Sequence, residues 1–246
     1  MALPLVSIVI PTFNEQDYLL NTLDKLRRQI IYNGIEVVIA DYDADQNRLT
    51  KNIASRATSW FRPGRFKVID VDKRGIGYAR HQGALAASAN ILMSFDADAY
   101  FTDPAGVWKL IQPIVNGKTL MTCCNTMLDP NEAKDWEDKR IFMLADIVYR
   151  LWNVGESPWE TGLTISRDAY FDIGGFPDVT IGEGTLLYAK FVMRYGLNSK
   201  VRIDDLYVQM SARRPKSLSK GLSLDGLIQA YDYTKAFRGG ETLNVG

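Results

Sequence analysis

The stretch Ile91-Leu92-Met93-Ser94-Phe95-Asp96-Ala97-Asp98 decides how this chain is read. A short apolar run ends in two carboxylates spaced i, i+2. It follows a segment rich in small residues, and it reads as a buried strand over 91–95. Open α/β sheets take their ligands at the carboxyl ends of strands. Asp96 and Asp98 therefore fall where a site belongs. Oxygen donors there suit a hard divalent cation together with a phosphate-bearing substrate. An isolated Asp-x-Asp fits a solvated turn equally well, because Asp is common after strands. The flanking sequence has to decide.

Strand and helix signals alternate on the amino-terminal side. A strand over 6–10 is expected to stop at Pro11, and Leu19, Leu23, Leu26 and Ile30 follow at helical spacing. A second strand over 36–40 ends at Asp41, in the acidic loop Asp41-Tyr42-Asp43-Ala44-Asp45. A helix over 46–61, a strand over 66–71 and a small-residue helix over 75–89 lead back to the opening stretch. This rhythm predicts right-handed βαβ units and a mainly parallel sheet. Beyond it, Pro104 starts a helix and 120–127 reads as a strand. Ile141, Leu144, Val148 and Leu151 mark a long amphipathic helix. An irregular stretch over 155–159 precedes a short strand over 163–165. Gly174-Gly175-Phe176-Pro177 reads as a turn before a helix with Leu187, Phe191 and Tyr195 on one face. No linker or repeat is visible, so one domain is expected.

Composition excludes several classes. Lys plus Arg equals Asp plus Glu at 29 each, so no basic field draws in nucleic acid. His81 is the lone histidine, which rules out a multi-histidine zinc site and any Ser-His-Asp triad not built on it. Cys123 and Cys124 are adjacent, and are expected to pack on opposite sides of a strand. The apolar run near the amino terminus is too short for a signal peptide, and no run approaches a membrane span of about 20 residues. A cytoplasmic protein is expected, with peripheral membrane contact left open.

Other loops carry their own chemistry. Pro11-Thr12-Phe13-Asn14-Glu15 follows the first strand without a Gly-x-Gly-x-x-Gly, which argues against a dehydrogenase-type dinucleotide site. Asp41 is placed to accept hydrogen bonds from a base edge. The plainer role for Asn14 or Asp45 is helix capping. Lys73-Arg74-Gly75-Ile76-Gly77-Tyr78-Ala79-Arg80 opens a helix, where glycines admit close backbone approach and the amino end attracts anions. Gly77, Ala84 and Ala87 equally suit tight packing on the sheet. Glu183 stands between two glycines at a helix start, where the dipole favours it and where it would have few steric neighbours. It also suits a general base. Arg213 and Arg214 read as a solvated basic turn or as an anion clamp.

Taken in order, Val6-Ser7-Ile8-Val9-Ile10-Pro11-Thr12-Phe13-Asn14-Glu15, Asp41, the Arg74-to-Arg80 segment, Asp96-Ala97-Asp98, Gly174-Gly175-Phe176 and Gly182-Glu183 resemble the inverting family 2 glycosyltransferases of the GT-A fold. The resemblance runs to about Arg214. It implies a single α/β GT-A domain over 1–246, with a mainly parallel, Rossmann-like sheet flanked by helices. Residues 1–100 would form the nucleotide-sugar-binding half, 101–215 an elaborated acceptor half, and 216–246 a carboxyl-terminal helix and tail.

The resemblance further implies hexosyl transfer from a nucleotide sugar, UDP-sugars ahead of GDP-sugars, to a glycan, lipid-linked or protein acceptor. Pro11, Thr12, Phe13, Glu15, Asp41, Arg74, Gly75, Arg80, Asp96, Ala97, Asp98, Arg213 and Arg214 would hold the donor. Asp98 and Asp96 would hold Mn2+ or Mg2+, and Glu183 would be catalytic. Where the family usually reads Glu-Asp, this chain reads Glu183-Gly184, and the Asp that often serves as base is missing. Glu160 is the fallback. Trp136, Trp152 and Trp159 mark the expected acceptor region. The competing readings are a nucleotide-sugar-binding module without turnover and a sugar nucleotidyltransferase, the latter disfavoured by the missing Gly-rich loop after the first strand.

Overall fold

The first apolar run forms β1, Val6–Thr12, and it continues through Pro11 instead of stopping there. Alternate residues of a parallel strand address opposite neighbours. The Thr12 carbonyl accepts from Tyr42 N–H on one side, and the Val9 carbonyl accepts from Phe95 N–H on the other. Pro11 shares the side of Val9, where the neighbouring strand has already ended at Ser94. Its missing N–H therefore costs no ladder bond.

The structure is a computed structural model that describes residues 3–42, 48–132, 160–179 and 182–211. By internal contacts the chain divides into two units, Met1–Met127 with Pro158–Met210, and Leu128–Ser157 with Ser211–Gly246. Apart from Leu128, every element below belongs to the first. In the second, the Ser211 hydroxyl donates to the Glu132 carboxylate. The expected helix around Ile141 to Leu151, the stretch 155–159, the three tryptophans, Asp43 to Asp45, and Arg213 and Arg214 lie outside the described residues.

After β1 come α1 (Leu19–Arg27), β2 (Ile35–Asp41), α2 (Leu49–Ser55), β3 (Phe66–Asp70), α3 (Ile76–Ala86) and β4 (Ile91–Ser94). Then follow β5 (Ala99–Phe101), α4 (Gly106–Val115), β6 (Met121–Leu128), β7 (Thr164–Ser166), α5 (Arg167–Asp172), α6 (Glu183–Tyr195) and β8 (Lys200–Met210). The strands form one sheet in the order β3-β2-β1-β4-β7-β6-β8-β5. β3, β2, β1 and β4 run parallel, as the alternating pattern predicts. The remaining recorded pairings, β4–β7, β6–β7 and β5–β8, are antiparallel.

Two apolar clusters form the core. One contains Ile8, Ile10, Leu23 and Phe95, and the other contains Leu92, Ile165, Leu187 and Phe191. Cys124 joins the first and Cys123 the second, as strand alternation requires. Both are free thiols. α3 lies close on the sheet because a Cβ at Gly83 would overlap Val9. Glu36 is buried, yet its carboxyl is held below the usual range. Burial opposes this, but Lys67, the Ser7 hydroxyl and Ser88 bond the ionised form and prevail.

Several local expectations change. α1 ends at Arg27, and Ile30 lies outside it, exposed. Asn14 caps no helix. It takes a left-handed turn at φ 57°, and the residue at the cap of α1 is Tyr18. The helix expected over 46–61 contracts to α2 and a separate 3-10 turn, Thr58–Trp60.

Candidate active site

β1 lies between β2 and β4, so their carboxyl ends form one contiguous edge. In register, Thr12 pairs with Asp41, and the Thr12 hydroxyl donates to Asp41 Oδ1 at 2.7 Å. Both residues are buried. The Phe13 and Tyr42 rings lie 5.8 Å apart, and the Arg74 guanidinium stacks 4.7 Å above Phe13. Lys73 at the mouth of α3 is paired with Asp178. Glu15 donates its backbone N–H to Thr50 Oγ1. The structure thus brings Thr12, Phe13, Asp41 and Arg74 together at the end of β1.

The Asp96-Ala97-Asp98 turn leaves β4 and is braced from two sides. Thr22 on α1 directs its hydroxyl at the Ala97 and Ala99 carbonyls, 2.7 and 2.9 Å away. Thr161 accepts from the Asp96 N–H at 2.9 Å. Residues before β7 continue alongside the end of β4: Gly162 N–H donates to the Ser94 carbonyl and Ser94 N–H to the Leu163 carbonyl, each at 2.8 Å. Gly162 makes this turn at φ 82°, and a Cβ there would press on Cys124 Sγ at 2.8 Å. This ladder carries Glu160 to the Asp-x-Asp turn.

Arg80 lies at the centre and is 1% exposed. Its Nη2 donates to Asp96 Oδ1 at 2.8 Å and its Nη1 to Glu183 Oε1 at 2.5 Å. Its guanidinium also lies over the Phe176 ring, 5.4 Å from the centroid. Charge-assisted bonds of this kind are strong and orient both partners. The sequence suggested Arg80 as charge facing the donor. Its bonds hold two carboxylates in place. Glu183 is the first residue of α6, as expected, but its side chain is enclosed. It bonds Arg80 and packs on Gly77, where a Cβ would come 3.1 Å from Glu183 Cβ and would overlap the Pro177 carbonyl. The close approach allowed by Gly77 therefore serves α3 against Glu183 and the turn before α6.

The Glu160 carboxyl lies against Gly184. A Cβ on Gly184 would fall within 2.5 Å of Glu160 Cδ and closer still to its Cγ and Oε1. Burial, and then the Glu183 charge, push the Glu160 carboxyl above the ordinary carboxylate range, while Arg80 pulls the other way. The residue as a whole is only half-buried. Packing therefore desolvates the carboxyl tip without sealing the residue from solvent.

Asp96 and Asp98 are both buried and supply hard carboxylate oxygens. Among the described residues no cluster of three or more His, Cys, Asp or Glu could cage a metal. Mg2+ and Mn2+ at phosphate sites need no such cage, since they take one or two carboxylates and fill the rest with substrate phosphate and water. With one Asp96 oxygen committed to Arg80, Asp98 is the main protein donor, and this set fits such an ion. Sequence reasoning missed the bracing by Thr22 and Thr161, which nothing near Asp96 in the sequence signals. It reached Glu160 only as a fallback, although Gly184 was the clue.

The profile of glycosyl transferase family 2 matches residues 7–172, the segment that carries β1 to β7 and the Asp-x-Asp turn. The chain belongs to this family. Among proteins similar in sequence, EpsH of Bacillus subtilis is 26% identical over 147 residues, which cover 60% of this chain and 39% of EpsH. The chain therefore spans well under half the length of that relative. Among solved structures of similar fold are the mannosyltransferase PcManGT of Pyrobaculum calidifontis, in complex with GDP-Man and Mn2+, and S. aureus TarS 1-349, in complex with UDP-GlcNAc. The first has a TM-score of 0.70 at 18% identity, covering 98% of this chain and 66% of that one. The second has a TM-score of 0.69 at 17% identity, covering 97% and 68%. This family 2 chain thus shares the GT-A fold of glycosyltransferases whose structures hold nucleotide sugars.

Proposed function

We propose that this family 2 chain is a metal-dependent, inverting hexosyltransferase. It moves a sugar from a nucleotide-sugar donor, UDP-linked ahead of GDP-linked, to a hydroxyl of a glycan, lipid-linked or protein acceptor. The observation that carries the reading is the Asp96-Ala97-Asp98 turn, fixed by Arg80, Thr22 and Thr161 beside the Thr12–Asp41 pair. The complexes of PcManGT and TarS support a nucleoside diphosphate linked to a sugar, and Mn2+ in the former supports the ion.

Asp41, oriented by Thr12, receives donor groups of the base, while Phe13, Tyr42 and Arg74 flank the nucleoside with Pro11 and Glu15. Asp96 is assigned to the ribose, and its bond to Arg80 keeps it aimed. A cation at Asp98 would supply Lewis-acid stabilisation for charge appearing on the leaving diphosphate. The helix start at Gly75 adds positive charge near that group. A carboxylate of the Arg80 cluster, for which the sequence offers Glu183 first and Glu160 as the fallback, takes the acceptor proton. One displacement from the face opposite the leaving group inverts the anomeric centre, so no enzyme nucleophile is required. Residues 1–100 act as the donor half and 101–215 as the acceptor half. Among the described residues no helix is long and apolar enough to cross a membrane, and we place the reaction in the cytoplasm.

The test is release of nucleoside diphosphate from a panel of UDP- and GDP-sugars in Mn2+, with and without simple sugar acceptors. Turnover of at least one donor, with the anomeric configuration inverted in the product, is expected. Tight binding of a donor with no release would leave a binding module in place of an enzyme.

A further inference from the structure

We propose that Glu160 is the catalytic base of this chain and that it fills the place left by the family's missing second carboxylate at position 184. This rests on the glycosyltransferase reading above. The family usually carries an Asp directly after Glu183, and here that residue is Gly184. The volume in which a side chain at 184 would begin is taken by the Glu160 carboxyl: its Oε1, Cγ and Cδ all lie where a Cβ would stand. A glycine at 184 is thus what lets a carboxyl group arrive from a different segment of the chain.

The neighbouring carboxylates are less suited to the task. Glu183 is bonded to Arg80 through Oε1 at 2.5 Å, and Asp96 is bonded to the same guanidinium at 2.8 Å. A carboxylate that gives up such a bond to accept a proton loses charge-assisted stabilisation. Glu160 faces Glu183 from α6, Arg80 from α3 and Asp96 from the turn after β4. Burial and the Glu183 charge make its ionised form more basic than an ordinary carboxylate, which a general base near neutral pH requires. Glu183 then has a positioning role, holding Arg80 and supplying the nearby charge.

The step balances without another reactant. The acceptor O–H bond breaks and its proton passes to a Glu160 carboxylate oxygen. The acceptor oxygen bonds the anomeric carbon as the bond to the diphosphate oxygen breaks. The electron pair leaves with the nucleoside diphosphate, and the Glu160 proton returns to water.

The experiment measures nucleoside diphosphate release in Mn2+, with water or a sugar as acceptor, together with UDP and GDP affinity and melting temperature. The variants are Glu160→Gln, Glu183→Gln, Glu160→Ala, Gly184→Asp and the double variant Glu160→Ala with Gly184→Asp. Glu160→Gln should lose about 10²–10⁴-fold in rate, with nucleotide affinity and melting temperature kept. Glu183→Gln should lose stability as well as rate, because the Arg80 guanidinium keeps an acceptor there but loses the paired charge. Gly184→Asp should destabilise the wild type but be tolerated once Glu160 is Ala, and the double variant should be faster than Glu160→Ala alone. That rescue is one a merely structural Glu160 does not predict. A folded Glu160→Gln chain as fast as wild type overturns the proposal, as does a stable double variant no faster than Glu160→Ala. A wild-type chain that binds no UDP, GDP or sugar derivative of either overturns the glycosyltransferase reading, and this proposal with it. Nucleotide binding with release that ignores Glu160 overturns this proposal alone.

Discussion

Glu160 holds a carboxyl group that folding makes harder to ionise. Such a group binds its proton more tightly in the folded state than in the unfolded one. Its contribution to stability is complete below the unfolded value near 4.5 and is lost as pH rises through the higher folded value. Gln cannot titrate, so Glu160→Gln should melt at or above the wild type near neutral pH, and the margin should narrow as the solution is acidified. Parallel melting curves across this pH range would show that Glu160 ionises normally. Functional sites often hold residues that cost stability. Asp41 is buried and bonded to Thr12 at 2.7 Å, and in the proposed function it holds the base. Asp41→Ala should weaken nucleotide binding by about 1–3 kcal/mol, which calorimetry with UDP and GDP would register. Equal affinity in both chains would move the nucleoside elsewhere.

Elements, not single residues, set the position of the Asp-x-Asp turn. α1 contributes Thr22, α3 contributes Arg80, α6 contributes Glu183, and the run into β7 contributes Thr161 and Glu160. Thr22→Val keeps the shape of the side chain and strips the hydroxyl from two buried carbonyls. It should cost about 1–3 kcal/mol in chemical denaturation and should weaken donor binding, since the turn that carries Asp98 loosens. Unaltered donor affinity would mean that the turn stands without α1. Arg80→Met should cost more, roughly 3–5 kcal/mol, because Asp96 and Glu183 keep buried charge without their partner. A denaturation midpoint close to wild type would contradict the central place given to Arg80. Much of the edge formed by β1, β2 and β4 was legible in the sequence, because each is a short apolar run with a polar residue at or just past its end, at Thr12, Asp41 and Asp96. The clasp was not. Arg80 and Glu183 are 103 positions apart, and periodicity says nothing of such pairs.

At the scale of the whole molecule, the amino-terminal half follows the βαβ pattern read from the sequence. The later strands obey other rules. β8 was not foreseen, since Arg202, Asp204 and Asp205 break its alternation and its burial is irregular. β5 has three residues and α5 six, too short for a period to show. Glu160 was reachable only through Gly184, and only by asking what fills the space beside a glycine. The central claim concerns the edge where β2, β1 and β4 end, and whether it holds a nucleotide sugar through Asp98. Calorimetric titration of the chain in Mn2+ with UDP- and GDP-sugars, repeated with Asp98→Ala and in excess chelator, tests it most directly. The account predicts binding of at least one nucleotide sugar by the wild type, lost with the chelator and lost in a folded Asp98→Ala chain. Binding of the same strength in all three conditions would contradict it.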